Sequence, residues 1–113
     1  MVKRGEIWWA CLESPRGSGP GYRHPVVVAS ANEFNQSLIQ TVTVVVITSN
    51  LRLVDAPGNF KLSKKASSLA KDSVVNVSQL LTLDKQFLTE KAGCLNAKLQ
   101  RDLDAGLKLA LNL

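Results

Sequence analysis

The sequence has few of the side chains that metal centres and disulfide frameworks require. Its 113 residues include one histidine and two cysteines. A zinc site needs several Cys, His or carboxylate ligands at short spacing, so we expect no metal and no other cofactor. Cys11 and Cys94 are far apart and neither belongs to a Cys-x-x-Cys pair. We therefore expect free thiols that pack as small apolar groups in a reducing compartment.

Long apolar runs are also missing. No run approaches the ~20 residues needed to cross a bilayer, which predicts no membrane partner. The segment from Met1 to Glu6 turns acidic where a signal peptide would need an apolar core. With 45% apolar and 20% charged residues, the chain is not a disordered tail. We expect one cytoplasmic domain over residues 1–113.

Acidic residues are outnumbered by basic ones, mainly in the middle of the chain. The 14 Lys and Arg residues against 9 Asp and Glu give a net charge of +5. Residues 51–72 hold five of the basic and two of the acidic residues. Such a segment is most often a solvated loop, but the excess favours an anionic partner.

Short runs rich in β-branched residues, separated by turn residues, predict a mainly β fold, either a small barrel or a sandwich. The predicted strands cover residues 6–12, 25–30, 41–48, 59–62 and 73–81. The second and third are nearly continuous apolar runs, which indicates central strands covered on both faces. The Gly- and Pro-rich residues 13–21 can only form a loop, and residues 32–37 allow no more than one turn of helix.

The apolar period changes in the last 20 residues of the chain. Leucines at 95, 99, 103 and 107 recur at helical spacing and predict a C-terminal amphipathic helix, which Asn96 could cap. Gly106 inside it costs roughly 1 kcal/mol relative to Ala and could mark a close approach of another backbone. The helix suits a barrel cap and a subunit contact equally well.

The residues best suited to chemistry meet at the junction Gly21-Tyr22-Arg23-His24-Pro25. Arg23 is a permanent cation, and His24 has the only side chain whose unperturbed pKa lies near neutrality. RNA cleavage by its own 2′-hydroxyl needs a base, an acid and a donor to the phosphorane, and it needs no metal. An Arg beside a His in a loop is more often a plain surface pair, so the residues alone leave both interpretations open. Thr48 is likewise explained by β-propensity alone.

Six short motifs follow one another from about residue 3 to residue 112. They are Arg4-Gly5-Glu6-Ile7-Trp8, Arg16-Gly17-Ser18, Arg23-His24-Pro25-Val26-Val27-Val28, Ile47-Thr48-Ser49, Lys71-Asp72-Ser73-Val74-Val75, and Gln79 with Thr82-Leu83-Asp84-Lys85. In this order they resemble the MazF/PemK family of bacterial toxins from type II toxin–antitoxin systems. The resemblance implies an SH3-like β-barrel with a C-terminal α-helix, the fold that CcdB toxins are thought to share, and a homodimer. It also implies a metal-independent, sequence-specific endoribonuclease (mRNA interferase) that cleaves single-stranded RNA to 2′,3′-cyclic phosphate and 5′-hydroxyl ends.

The resemblance also implies the site residues. The catalytic ones are Arg23, His24 and Thr48, and the RNA-binding ones are Arg16, Ser18, Gly19, Tyr22, Ser49 and Gln79. Two positions depart from the family pattern. The family's Arg directly precedes the Pro that opens the second strand, where this chain has His24, and Gly19 stands where the loop often has an acidic residue. Either Arg23 still reaches the phosphate with His24 secondary, or His24 performs acid–base work while Arg23 binds phosphate and Thr48 donates to the oxyanion.

Two alternatives to an RNA-cleaving toxin remain at this point. A non-catalytic CcdB-like gyrase poison on the same fold would act through the C-terminal helix and dimer surface, and would make Arg23, His24 and Thr48 dispensable. A decayed family member would only bind nucleic acid or its antitoxin. Antitoxins of this family generally use acidic, flexible C-terminal segments, which a chain of net charge +5 is suited to bind.

Overall fold

Six antiparallel β-strands form a single sheet in the computed structural model, which describes residues 1–12 and 23–113. The strands are β1 (Glu6–Cys11), β2 (Arg23–Val28), β3 (Thr41–Thr48), β4 (Phe60–Leu62), β5 (Ser73–Asp84) and β6 (Leu88–Cys94). Their order across the sheet is β4-β5-β3-β2-β1-β6. The sheet curls into a half-barrel, so the predicted mainly β, SH3-like architecture is confirmed.

Both faces of the central strands are buried. On one face Val27, Val45 and Ile47 pack with Leu99 and Leu103 of the C-terminal helix. On the other face an apolar cluster is formed by Ala10, Leu12, Val26, Val28, Val42, Val44 and Leu88. This double burial confirms the central placement predicted for β2 and β3, since apolar side chains are needed at every position of such strands.

The helices are α1 (Asn32–Asn35), α2 (Lys64–Ser67) and α3 (Ala97–Leu111). Two 3-10 turns connect strands: Leu51–Asp55 lies between β3 and β4, and Lys85–Phe87 lies between β5 and β6. Asn96 caps α3 as predicted, because its side chain accepts a hydrogen bond of 2.9 Å from the backbone N–H of Leu99. The close approach predicted at Gly106 is also present. A Cβ on Gly106 would collide with the carbonyl oxygen of Gly58, which itself has φ +80°.

Several features differ from the sequence prediction. Strand β5 continues to Asp84 rather than ending at residue 81, and helix α2 was not predicted. Strand β2 begins at Arg23 rather than residue 25, so Arg23 and His24 belong to the sheet and not to the loop. Strand β6 was missed, because its residues include Glu90 and Lys91 and few β-branched side chains. Cys94 ends this edge strand and is exposed, so its predicted packing as an apolar group is wrong.

Candidate active site

A cleft of about 280 Å³ lies where β2 begins and β3 ends. Its floor includes the fully buried Ile47 and the nearly buried Leu69, and its rim carries Arg23, His24 and Lys71. The cleft therefore combines an apolar floor with cationic side chains at the opening. This composition suits a ligand that has both flat apolar groups and negative charge.

The antiparallel register of the central strands brings these residues together. Val26 pairs with Val46, so the start of β2 runs beside the end of β3 at the same end of the sheet. On the other side of β2, His24 pairs with Ala10 of β1. Residues that are about 25 positions apart in the sequence thus meet at one point because of strand pairing alone.

Arg23 is held from two directions by side chains of neighbouring strands. Its guanidinium carbon lies 4.5 Å from the centroid of the Trp9 ring in β1. One terminal nitrogen, Nη2, donates a hydrogen bond of 3.0 Å to Oε1 of Glu90 in β6. Within the described ranges, no other protein acceptor engages the guanidinium. A guanidinium has five N–H donors, and the described residues accept a hydrogen bond from one of its nitrogens.

His24 is partly buried at the cleft, which affects its protonation. Burial lowers the pKa of the imidazole from its ordinary value near 6.5, and a hydrogen bond with the Ile47 backbone opposes this shift without cancelling it. The neutral imidazole is therefore the main form at pH 7. A neutral imidazole can accept a proton, which is what a general base must do.

The two hydroxyl residues at the end of β3 differ in position. Ser49 lines the cleft, whereas Thr48 stands between two cleft residues without lining it. The Thr48 Oγ1 accepts a hydrogen bond of 3.1 Å from the backbone N–H of Asn50, which leaves the hydroxyl proton free to be donated. The structure thus places Arg23, His24 and Ser49 on the cleft, with Thr48 adjacent to it.

Gln79 occupies a different part of the sheet. Val45 pairs with Leu80 but Val46 pairs with Asn76, so residues 77–79 form a bulge on β5. There the Gln79 side chain accepts a hydrogen bond of 2.9 Å from Asn76. It is not among the described residues that line the cleft. The other predicted RNA contacts, Arg16, Ser18, Gly19 and Tyr22, lie outside the described residues.

The sequence prediction did not include Trp9, Lys71 or Glu90 among the site residues. Lys71 lies in the basic 51–72 segment and in one of the six motifs, which was a usable signal. Trp9 had a weaker signal, as an aromatic residue in the strand that precedes the loop. Glu90 had none, because its strand was not predicted. Among the described residues, no three His, Cys, Asp or Glu side chains are grouped so that they could hold a metal ion.

Comparison with known families identifies the chain over nearly its whole length. Residues 3–111 match the model of the PemK-like, MazF-like toxin of type II toxin–antitoxin systems. The chain belongs to this toxin family. Relatives include the Endoribonuclease MazF2 of Mycobacterium bovis and the Endoribonuclease MazF6 of Mycobacterium tuberculosis. Each is 42% identical over 113 residues, which cover 100% of this chain and 99% of the relative. The family match does not favour the gyrase-poison alternative.

Solved structures show the same fold at lower sequence identity. One is an endoribonuclease in complex with its cognate antitoxin from a mycobacterial species, with a TM-score of 0.79 and 22% identity over 100% of this chain and 97% of that one. Another is MazF from Deinococcus radiodurans, with a TM-score of 0.79 and 19% identity over 99% and 97% of the two chains. In the described part of the chain, no helix has the length and apolarity that a membrane crossing demands.

Proposed function

We propose that this toxin is a metal-independent, sequence-specific endoribonuclease that cleaves single-stranded RNA. The observation that carries the proposal is the meeting of Arg23 and a neutral His24 on one cleft. The curated relatives at 42% identity are named endoribonucleases, which supports the same activity for this chain.

The proposed reaction is attack of the RNA 2′-oxygen on the adjacent phosphorus. His24 accepts the proton of the 2′-hydroxyl as the new O–P bond forms, and the bond from phosphorus to the 5′-oxygen breaks. The products are a 2′,3′-cyclic phosphate and a 5′-hydroxyl, and the leaving oxygen is protonated by the imidazolium or by water. No external nucleophile is required.

Arg23 binds the scissile phosphate in this proposal. The free edge of its guanidinium can form two parallel hydrogen bonds to non-bridging oxygens, and these strengthen as charge develops in the transition state. The hydroxyl of Thr48 or of Ser49 supplies a further donor. The lowered pKa of His24 supports its role as the base, and so supports acid–base work by His24 over a secondary role for it.

The cationic rim also supports the proposed partners. Lys71 on the rim has no carboxylate within ion-pair distance among the described residues, so it is available to a phosphate or to an acidic peptide. We infer a cognate antitoxin with an acidic, flexible C-terminal segment that competes with RNA for this surface. A solved structural neighbour is an endoribonuclease bound to its antitoxin. We further propose that each chain is a single toxin domain, that two chains form a homodimer, and that the protein is located in the cytoplasm.

The decisive experiment is incubation of the purified protein with a long RNA in EDTA, beside a DNA of the same sequence. Cleavage of the RNA alone, with 2′,3′-cyclic phosphate ends, is the expected result. Mapping the 5′ ends of the fragments then gives the recognition sequence. Intact RNA together with inhibited gyrase would contradict the proposal and favour the gyrase poison.

A further inference from the structure

We propose that Glu90 is a positioning residue that fixes the Arg23 guanidinium for phosphate binding. This inference rests on the proposed function, because it assigns Glu90 a part in the same cleft. Glu90 comes from an edge strand and none of the six sequence motifs includes it. Its only described side-chain partner is the Arg23 Nη2, at 3.0 Å.

The contact is built into the pairing of three strands. Trp9 and Glu90 are direct partners across β1 and β6, so their side chains stand side by side on one face of the sheet. Arg23 follows on β2, two residues before Pro25, which is the partner of Trp9. The Trp9 ring covers one face of the guanidinium, and Glu90 holds one edge. Two contacts in different directions leave the planar group little freedom to rotate.

Stability does not explain this ion pair. The side chains of Arg23 and Glu90 are 49% and 67% exposed, and ion pairs with such exposure contribute little to folding. The pair of Lys91 with Glu6 differs, because the Glu6 side chain is 8% exposed and accepts further hydrogen bonds. Glu90 therefore acts mainly on the orientation of the Arg23 guanidinium.

Ordering Arg23 before RNA binds has a catalytic consequence. An Arg side chain loses much rotamer freedom when it is fixed, and a guanidinium already in place avoids that cost at the transition state. Glu90 uses one of the five donors and leaves the rest of the fork for the phosphate. Its negative charge weakens RNA binding slightly, so the contribution of Glu90 should appear in kcat and not in KM.

Two substitutions of Glu90 distinguish its effect on the position of the Arg23 guanidinium from the effect of its own negative charge. Glu90→Ala removes the acceptor and the charge, whereas Glu90→Gln removes the charge and keeps an acceptor for Arg23. The matched control is Glu33→Ala, which removes the same charge from an exposed residue of α1, near the other end of β2. Steady-state cleavage is measured on a short fluorescent RNA that contains the site mapped for the wild-type protein.

We expect Glu90→Ala to lower kcat roughly threefold to fivefold, with KM unchanged or lower. Glu90→Gln should recover most of kcat, and Glu33→Ala should keep the wild-type kcat. An unchanged or higher kcat in Glu90→Ala would overturn the inference, as would equal losses in Glu90→Gln and Glu90→Ala. Neither result would touch the proposed function, which falls only if the wild-type protein leaves RNA intact.

Discussion

The two ends of β2 each have an arginine, and the protein uses the two cations differently. At the Val28 end, two of the five donors of Arg4 bind described residues. Its Nε donates to the Ala29 carbonyl at 2.9 Å and its Nη1 donates to Asp104 at 2.7 Å. At the other end, Arg23 has one hydrogen bond to a described residue and faces a cleft. The comparison teaches that the partners of a cation separate its roles. Arg4 links Ala29 to Asp104 of α3, as a structural residue does, whereas Arg23 lines a cleft together with His24, as the proposed function requires.

The largest effect is expected from Arg23→Ala, which removes the guanidinium that lines the cleft. Loss of a phosphate-binding guanidinium should lower kcat/KM roughly 10²–10³-fold. The free energy of unfolding should change by less than about 1 kcal/mol, because Arg23 is exposed and its ion pair with a described residue, Glu90, is exposed as well. RNA cleavage assays and urea denaturation measure the two quantities. Arg23→Lys keeps the charge without the fork and should recover part of the activity, and an Arg23→Ala variant that cleaves like wild type would refute the assignment.

The second prediction concerns His24 and pH. Because the base must be neutral, kcat/KM should be flat near pH 7 and should fall as the pH drops through the His24 pKa, which lies below its ordinary value near 6.5. His24→Gln should lower kcat/KM roughly 10²-fold and abolish this acid limb. The pH–rate profiles of the two proteins provide the measurement. Normal cleavage by His24→Ala would assign the chemistry to Arg23 without acid–base help from His24.

Most of the fold could be predicted from local signals. The β-branched runs that became β2 and β3 and the leucine spacing of α3 each reflect burial, which the sequence records directly. Strand β6 has no such apolar pattern. It is an edge strand with Glu90 and Lys91, and it is stabilised by its pairing with β1 and not by its own composition.

The residues that line the cleft could be predicted in part, from their chemistry and not from burial. Arg23 and His24 stand out as the cation and the imidazole beside a Pro, and the family resemblance adds Thr48 and Ser49. The partners of Arg23 could not be found, because Trp9 and Glu90 reach it only through the pairing of β1 with β2 and β6. Long-range pairing of this kind leaves no periodicity in one sequence.

The third prediction tests Arg4, at the Val28 end of β2. Arg4→Ala should lower the free energy of unfolding by about 1–2 kcal/mol, since the Ala29 carbonyl and Asp104 both lose their donor. Activity should remain unchanged, unlike in Arg23→Ala. Lys98→Ala is the matched control, because it removes a cation from an exposed pair with Asp102 on α3 and should cost less than about 0.5 kcal/mol. Equal stability of the two variants would contradict the structural role of Arg4.

The smallest effect is expected for Glu6, whose contribution to stability is lost in acid. Burial of Glu6 raises its pKa, but hydrogen bonds from Lys91, the Lys3 backbone and Trp8 together outweigh burial, so the pKa of Glu6 is lowered. The ionised group then stabilises the fold above its unfolded pKa of about 4.3, and this contribution is lost as the pH falls through the folded pKa.

The measurement is urea denaturation of the wild type and Glu6→Gln between neutral pH and about pH 3. The stability advantage of the wild type should shrink as the pH falls. The control is Glu90→Gln, which removes a carboxylate that is 67% exposed. It should change the free energy of unfolding at neutral pH by less than about 0.5 kcal/mol. If wild type and Glu6→Gln lost stability in parallel, the hydrogen bonds to Glu6 would contribute nothing in net terms. The start of β1 would then be held by its pairing with β2 and β6 and by apolar packing, and the contrast between the two ends of β2 would depend on Arg4 only.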